Sequence, residues 1–292
     1  MKNIKDKKIY LITHRGLNLT NANFFPESSF ESFRQYIKKD YSIELDIRFC
    51  KDEIIVSHDS NLKRLCGINK EIKDMYFKEL KDIRYGKNNI GKIATLNDVL
   101  KMIDPKKNIL CAIHIKGDIQ SKYNLELLYR YLKKHKSIMK SLLIFDLYPE
   151  AAKYLKEHLP KINLGCSISN QSDIKKYNKK VFNTLFALDD AISYKRKGLY
   201  NWAIIDEWES SELKDISENL YTSSTFDLMQ KEGFHILVIS PELHEAHEDN
   251  QNIKKLFKRI DKILNLYPNA ICTNYPDEVY KYIKQKGGYK FK

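Results

Sequence analysis

Four short motifs near the N-terminus bring together residue types that can do chemistry on a phosphate ester. They combine imidazole, guanidinium and carboxylate groups, and they are His14-Arg15-Gly16, Pro26-Glu27, Glu44-Leu45-Asp46 and His58-Asp59. Carboxylates are ligands for divalent cations, and histidine exchanges a proton near neutral pH. The motifs therefore predict a site that holds a divalent metal and cleaves a phosphate ester.

The spacing of Glu44 and Asp46 predicts where the metal binds. Residues i and i+2 of a strand point to the same face, so the two carboxylates lie side by side if residues 42–49 form a strand. Two buried carboxylates repel each other unless a cation lies between them. A half-exposed strand with a polar face is the alternative, and the apolar residues on both sides of the motif argue against it.

His14 and His58 are the candidate acid and base, because each ends a strand-like segment. Cleavage of a phosphodiester needs a base that activates the attacking oxygen and an acid that protonates the leaving one. The unperturbed pKa of histidine suits both tasks. The alternative is that each is a structural histidine. Asp59 is expected to orient His58 or to cap the next turn.

Two cations are candidates for binding the phosphate. Arg15 offers a planar set of donors that matches phosphate oxygens, and Lys116 follows the strand-like segment 109–115. Surface charges are the alternative for both. Glu27 follows a proline where a helix is expected to begin, a position at which a carboxylate interacts favourably with the helix dipole. It can equally pair with Arg15, and the sequence leaves the two readings open.

Short apolar segments alternate with segments of helical periodicity along the whole chain. The strand-like segments are 9–13, 42–49, 54–57, 109–115, 141–145, 164–168, 203–205, 236–239 and 270–273. Apolar residues at helical spacing, such as Leu125, Leu128 and Leu132, lie between most of them. Strand–helix alternation of this length predicts a parallel sheet.

Eight strand–helix units and one extra hairpin strand fit a closed (β/α)8 TIM barrel, whose sites lie at the carboxyl ends of the strands. An open, doubly wound sheet is the rival architecture. It is disfavoured because His14-Arg15-Gly16, and no glycine-rich nucleotide loop, follows the first strand. We expect one domain over residues 1–292, with a small insertion around residues 60–94.

Composition limits the partners and the cellular compartment. The chain has 292 residues and a formal charge of +13, but its lysines are scattered, so we attribute the excess mainly to composition bias and expect no nucleic-acid partner. The alternative explanation of the positive charge is an electrostatic field that attracts anionic phosphate substrates. The five cysteines are odd in number and form no CxxC pair, which is typical of a reduced cytoplasmic protein. No secretory signal and no transmembrane run is visible.

The motifs resemble those of the glycerophosphodiester phosphodiesterase family, whose pattern is His-Arg-Gly, Pro-Glu-Asn, Glu-x-Asp and His-Asp in that order. Residues 94–100 are similar to the helix after the family's insertion, and residues 273–277 are similar to its closing Thr-Asp-x-Pro. The resemblance implies a TIM barrel and a metal-dependent phosphodiesterase that acts on glycerophosphodiesters of lipid metabolism. It also implies that His14 and His58 are acid and base. Glu44 and Asp46 would bind the metal, and Arg15 would bind the phosphate.

The third strand departs from the family, whose Glu-x-Lys motif supplies a metal ligand. The aligned triplet here is His114-Ile115-Lys116. Histidine can bind a metal, but it is neutral and softer than a carboxylate. We therefore expect His114 to be a ligand and calcium or magnesium to be disfavoured relative to zinc or manganese, although all four ions stay open. Asp118, Asp146 or Asp206 could restore the lost negative charge.

The region around the site also differs from the family. Asp146-Leu147 stands where the family has Ser-Phe, and Asp206-Glu207-Trp208 follows another strand-like segment. We expect Asp146, Asp206 and Trp208 to reach the pocket, with a plain capping loop as the alternative for 206–208. These differences leave two further functions open. One is a transferase that processes phosphodiesters in surface-glycan or lipid metabolism, and the other is a non-catalytic phosphodiester-binding barrel. The sequence leaves the oligomeric state unknown.

Overall fold

The barrel strands follow one another around a closed sheet. The structure is a computed structural model, and it describes residues 7–19, 25–86, 90–105, 107–181, 184–206, 219–244 and 253–292. The strands in chain order are β1 (Lys7–His14), β2 (Ser42–Phe49), β3 (Ile54–Val56), β4 (Arg84–Tyr85), β5 (Gly91–Lys92), β6 (Cys111–His114), β7 (Leu142–Phe145), β8 (Asn163–Ile168), β9 (Leu185–Phe186), β10 (Trp202–Ile205), β11 (His235–Ile239), β12 (Ala270–Thr273) and β13 (Tyr289–Phe291).

Parallel pairing closes the sheet. Among the described residues, β1, β2, β6, β7, β8, β10, β11 and β12 pair in that order, and β12 pairs back to β1. These eight parallel strands form the predicted (β/α)8 barrel, so the fold class is confirmed. The hairpin strand β3 runs antiparallel to β2, while β9 and β13 extend the sheet beside β8 and β1.

The described helices lie around the barrel, most of them against its outer face. They are α1 (Phe30–Lys38), α2 (Lys63–Cys66), α3 (Phe77–Leu80), α4 (Leu96–Met102), α5 (Lys122–Lys134), α6 (Pro149–His158), α7 (Gln171–Val181), α8 (Leu188–Arg196), α9 (Ser223–Lys231), α10 (Ile253–Asn265) and α11 (Pro276–Lys286). Local chemistry fixes several of their starts. Thr95 and Asp98 cap α4 reciprocally, and Pro149 occupies the first turn of α6, where its missing N–H costs nothing.

Alternation along the strands divides the core into two layers. One set of side chains points outward and packs against the helices, and it includes Ile43, Leu45 and Ile113. The other set, which includes Ile12 and Ala112, fills the inside of the barrel. Polar residues on the inward face are concentrated at the carboxyl ends of the strands, where this apolar filling stops.

The expected insertion lies between β3 and α4. It contains α2, α3 and the β4–β5 hairpin, and it has its own small core of buried side chains, among them Leu62, Leu80 and Tyr85. This core packs the insertion beside the carboxyl end of β2. The insertion therefore forms one wall of the region into which His58 projects. That residues 1–292 are a single domain stays a prediction.

Candidate active site

Parallel register brings the sequence motifs together at one edge of the barrel. His14 on β1 pairs with Glu44 on β2, and Asp46 pairs with His114 on β6. His114 in turn pairs with Phe145, which places Asp146 directly after β7 at the same edge. Four neighbouring strands therefore supply the side chains that the sequence singled out.

Glu44, Asp46 and His114 form a cluster that can hold a metal ion. One ligand atom of each lies within 4.8 Å of the ligand atoms of the other two. His114 Nδ1 lies 2.8 Å from Asp46 Oδ1, and its Nε2 lies 2.9 Å from Asp146 Oδ2. The His114 ring also stacks on Phe145, with the two ring planes 9° apart. The imidazole is thus held on two edges and one face.

Arg15 lies beside the same acids. Its Nε is 3.0 Å from Asp46 Oδ2, without the alignment of a hydrogen bond, and its backbone N–H donates to Glu44 Oε2. Arg15 has a left-handed φ of 52°, as does the next residue, Gly16, at 69°. A Cβ on Gly16 would lie 2.5 Å from Ser32 Oγ, so glycine is required for this turn. The turn directs the guanidinium back over the acids.

His14 is held as a neutral imidazole with a defined orientation. Its Nδ1 lies 2.7 Å from Asn274 Oδ1, an atom that only accepts, so Nδ1 carries the proton. Nε2 then carries the lone pair and lies 4.0 Å from Glu44 Oε2. Burial, assisted by the charge of Arg15, holds the pKa of His14 well below its usual range. His14 is therefore available as a base at neutral pH.

His58 is oriented by neighbours on both ring nitrogens. Nδ1 lies 2.7 Å from Asp59 Oδ1, and the Lys116 ammonium lies 2.9 Å from Nε2. Arg48 donates two hydrogen bonds to the His58 carbonyl and pairs with Asp118 at 3.0 Å. Burial lowers the pKa of His58, although the charge of Asp46 and the hydrogen bond that His58 donates to Asp59 oppose the shift.

The charged groups of the cluster shift one another's pKa values. Burial and the adjacent Asp46 raise the pKa of Glu44. Burial opposes the charge on Asp46, but Arg15 and the two nearby imidazoles outweigh it and hold its pKa well below the usual range. Burial likewise opposes a charge on His114, yet Asp146 and Asp46 together raise its pKa to about 10. The cluster therefore favours positive charge next to Asp46.

The residues fit a divalent ion. Asp46 Oδ2 and Asp146 Oδ1 are buried carboxylate oxygens that have no hydrogen-bond partner within the described ranges. The Arg15 guanidinium, 3.0 Å away, compensates part of the charge on Asp46 Oδ2, whereas a buried, unpaired oxygen such as Asp146 Oδ1 is costly unless a cation lies nearby. Two carboxylates and an imidazole are a donor set that zinc and manganese accept, and the oxygens alone also suit calcium or magnesium.

Arg64, from the insertion, joins two acids that the sequence had placed near the site. Its Nε lies 2.6 Å from Asp59 Oδ2, and its Nη2 contacts Glu27 Oε1. Glu27 also lies 3.8 Å from Arg15 Nη1. Glu27 is thus placed among guanidinium groups, while Ser29 caps the helix that follows it. These contacts tie the insertion to both histidine motifs.

A cavity of about 670 Å³ opens beside His58. Its lining includes four cations, Arg48, Lys63, Arg64 and Lys116, and one acid, Asp59. An excess of positive charge in a confined site raises the local concentration of anions. The cavity is therefore suited to a phosphate-containing ligand next to His58.

The remaining predicted residues have different positions. Asp118, a candidate for the missing negative charge, pairs with Arg48 instead. Asp206 is buried after β10, which lies opposite β2 in the closed strand order. Trp208 lies outside the described residues. Near the end of β11, the buried Glu242 accepts hydrogen bonds from the hydroxyls of Ser240 and Thr273, and burial raises its pKa.

Sequence reasoning missed three residues that touch the histidines or their partners. Arg48 was predictable, because it lies two residues after Asp46 on the same face of β2. Asn274 stands in the closing motif but carried no signal that it would contact His14. Arg64 reaches Asp59 and Glu27 only because the insertion folds back over the strand ends.

A barrel with paired carboxylates, a cationic cavity and two oriented histidines at its strand ends is the arrangement that the motifs predicted for the class of phosphodiesterases. The chain is a member of the glycerophosphoryl diester phosphodiesterase family, whose model matches residues 14–278. Family membership confirms the resemblance seen in the motifs.

Individual relatives agree with this assignment. A human protein, lysophospholipase D GDPD1, is 31% identical over 142 residues, which are 44% of this chain and 43% of the human protein. The chain therefore spans less than half of that relative. A glycerophosphoryl diester phosphodiesterase from Parabacteroides distasonis superposes with a TM-score of 0.66 at 16% identity, covering 96% of this chain and 88% of that one.

A phosphodiesterase from Oleispira antarctica, solved with the product sn-glycerol-3-phosphate, superposes with a TM-score of 0.64 at 16% identity. The match covers 94% of this chain and 96% of that one. At such identities the two superpositions establish the fold. In the part of the chain that the structure describes, every helix is too short or too polar to cross a bilayer.

Proposed function

We propose that the protein is a metal-dependent phosphodiesterase that hydrolyses a glycerophosphodiester, or a related small diester, to an alcohol and a phosphomonoester. The observation that carries the proposal is the pair His14 and His58. Both imidazoles have lowered pKa values, and each has its Nδ1 engaged by a neighbouring side chain. A protein that only binds a diester has no need for two such groups.

The proposed roles follow from the placement of each group. One histidine accepts a proton from the attacking oxygen, and the other returns a proton to the leaving alcohol. Arg15 and Lys116 bind the phosphate oxygens and offset the charge that develops on them. Glu44, Asp46 and His114 would hold a divalent ion, which supplies Lewis-acid polarisation of the phosphoryl group.

Asp59 and Glu27 support these residues. Asp59 fixes the ring of His58, and Arg64 keeps Asp59 charged, because burial is outweighed by the hydrogen bonds from His58 and Arg64 and the pKa of Asp59 stays low. Glu27 lies between Arg64 and Arg15. The cationic cavity beside His58 would receive the phosphate or the alcohol moiety next to it.

The test is hydrolysis of a glycerophosphodiester and of an aryl phosphodiester with magnesium, calcium, manganese and zinc. We expect turnover with at least one metal, and a loss of about 10²- to 10⁴-fold in His14→Gln and in His58→Gln. His158→Gln is the matched control, because His158 is an exposed histidine at the end of α6 whose Nδ1 lies 2.8 Å from the Tyr154 carbonyl oxygen. Near-normal rates in both site variants would contradict the acid–base assignment.

The alternatives receive less support. No observation among the described residues favours a transferase or a non-catalytic barrel over hydrolysis. A cytoplasmic location is supported by five cysteines that carry free thiols, four of them buried. That location, and a role in lipid metabolism, stay predictions.

A further inference from the structure

Asp146 is held in an unusual conformation directly behind the metal-ligand cluster. Its φ is 64°, in the left-handed region that few residues other than glycine adopt, and its side chain is buried. Gln120 holds the turn, since its Nε2 donates to the Asp146 carbonyl at 2.6 Å and its Oε1 accepts from the Tyr148 N–H. A strained residue that is maintained by its surroundings is typical of a functional site.

The Asp146 carboxylate determines how the His114 ring is presented. Its Oδ2 accepts the proton of Nε2 at 2.9 Å, and Asp46 Oδ1 accepts that of Nδ1 at 2.8 Å. A metal ion that binds at Nδ1 would displace the proton of that nitrogen, while Asp146 keeps the one on Nε2. The ring cannot turn over freely, because it also stacks on Phe145. Histidines that bind metals commonly donate their second ring N–H to a carboxylate in this way, which fixes the tautomer and increases the basicity of the binding nitrogen.

We propose that Asp146 is a positioning residue that presents His114 Nδ1 as a nitrogen ligand beside Glu44 and Asp46. The resulting mixed nitrogen–oxygen site selects a borderline transition-metal ion, of which manganese and zinc are examples, over calcium and magnesium. The inference rests on the proposed function for the place of the metal. It adds which residue fixes the His114 ring and thereby causes the ion preference that the sequence predicted.

The chemistry of the ligands gives the direction of selection. Calcium and magnesium are hard ions that prefer oxygen ligands and gain from added negative charge. An imidazole in place of a third carboxylate removes one charge and supplies a nitrogen, which favours ions later in the first transition row. The carboxylate of Asp146 contributes its charge to the ring of His114, since one of its oxygens already contacts Nε2.

The experiment measures metal binding by the full chain after removal of metals with a chelator. The loss of the EPR signal of free Mn²⁺ measures how much Mn²⁺ is bound. The affinities of Zn²⁺, Ca²⁺ and Mg²⁺ are ranked by their competition with Mn²⁺. We expect Mn²⁺ and Zn²⁺ to bind more tightly than Ca²⁺ and Mg²⁺ by about tenfold or more, because one carboxylate ligand is replaced by an imidazole. Pulsed EPR of bound Mn²⁺ should show coupling to a ligand nitrogen.

Asp146→Asn tests the positioning role, since asparagine keeps the size and tolerates a left-handed φ. We expect it to weaken Mn²⁺ and Zn²⁺ binding by about 10- to 100-fold, as for other residues that support metal-binding histidines. Asp118→Asn is the matched control and should leave affinity unchanged, because Asp118 also follows a barrel strand but pairs with Arg48. Unchanged affinity in Asp146→Asn would overturn the inference.

His114→Glu provides a second, independent variant. It creates an all-oxygen ligand set, so we expect the nitrogen coupling to vanish and the preference to move toward Ca²⁺ and Mg²⁺. Tighter binding of Ca²⁺ than of Mn²⁺ by the unchanged protein, or no nitrogen coupling in it, would contradict the proposal. Either result is compatible with diester hydrolysis, whereas failure of the proposed function would appear as no hydrolysis with any metal.

Discussion

The contact between Lys116 and His58 allows a quantitative prediction. The ammonium lies 2.9 Å from Nε2 of the imidazole, and an ammonium can only donate. Nε2 must therefore accept, and His58 is neutral with its proton on Nδ1, next to Asp59. Protonation of Nε2 would place two positive charges about 3 Å apart. Lys116 thus helps to keep His58 in the state that a general base needs.

The distance gives the size of the effect. Two unit charges about 3 Å apart repel each other by about 1.4 kcal/mol even at the dielectric constant of water, which corresponds to about one pKa unit. The aqueous value is the appropriate lower bound, because the His58 side chain is 27% exposed. Lys116→Met should therefore raise the pKa of His58, because it removes a repulsion of about 1.4 kcal/mol from the protonated state. Burial, the largest cause of the lowered pKa, is left in place.

The assay is an NMR titration of metal-free protein that carries ¹³C-labelled histidine, with the His58 signal assigned from its loss in His58→Gln. Lys63→Met is the matched control, because Lys63 lines the same cavity but has no contact with His58 among those described. We expect an unchanged His58 pKa in the control. An unchanged or lowered pKa in Lys116→Met would refute the reasoning about the tautomer.

Two further predictions concern the supporting network and acid stability. Arg64→Ala should lower kcat/KM about tenfold or more, because it releases Asp59 and Glu27 and leaves His58 less well oriented. Steady-state kinetics measures the loss, and Arg130→Ala, which removes an exposed arginine, is the control. The pKa of His14 is lower folded than unfolded, so the unfolded chain binds more protons below about pH 6.5. Urea denaturation should therefore show stability falling from pH 7.5 to 5.5, with a shallower fall in His14→Asn.

Most of the fold was predictable because strand alternation and helical periodicity are local properties. Apolar segments such as 42–49 and 270–273 coincide with β2 and β12, and the order of strands and helices indicated a closed parallel barrel. The strands that escaped prediction are two or three residues long, as in β9 and β13. Such short pairings depend on a neighbouring strand and leave no periodic signal of their own.

The candidate site was predictable only along individual strands. Glu44 and Asp46 share a face of β2 by alternation, and register then sets His114 beside Asp46. The contacts of Arg64 and Asn274 join segments that are far apart in the chain. Nothing local specifies such partners, because they depend on how the insertion packs against the barrel and on the closure of β12 against β1.

The most direct test of the central claim is ³¹P NMR of a glycerophosphodiester incubated with chelator-treated protein, before and after a divalent metal is added back. We predict that the diester signal is replaced by that of a phosphomonoester only after metal is added, and that Glu44→Gln together with Asp46→Asn abolishes the conversion. Conversion at the full rate in the presence of chelator, or an unchanged diester with every metal, would contradict the account.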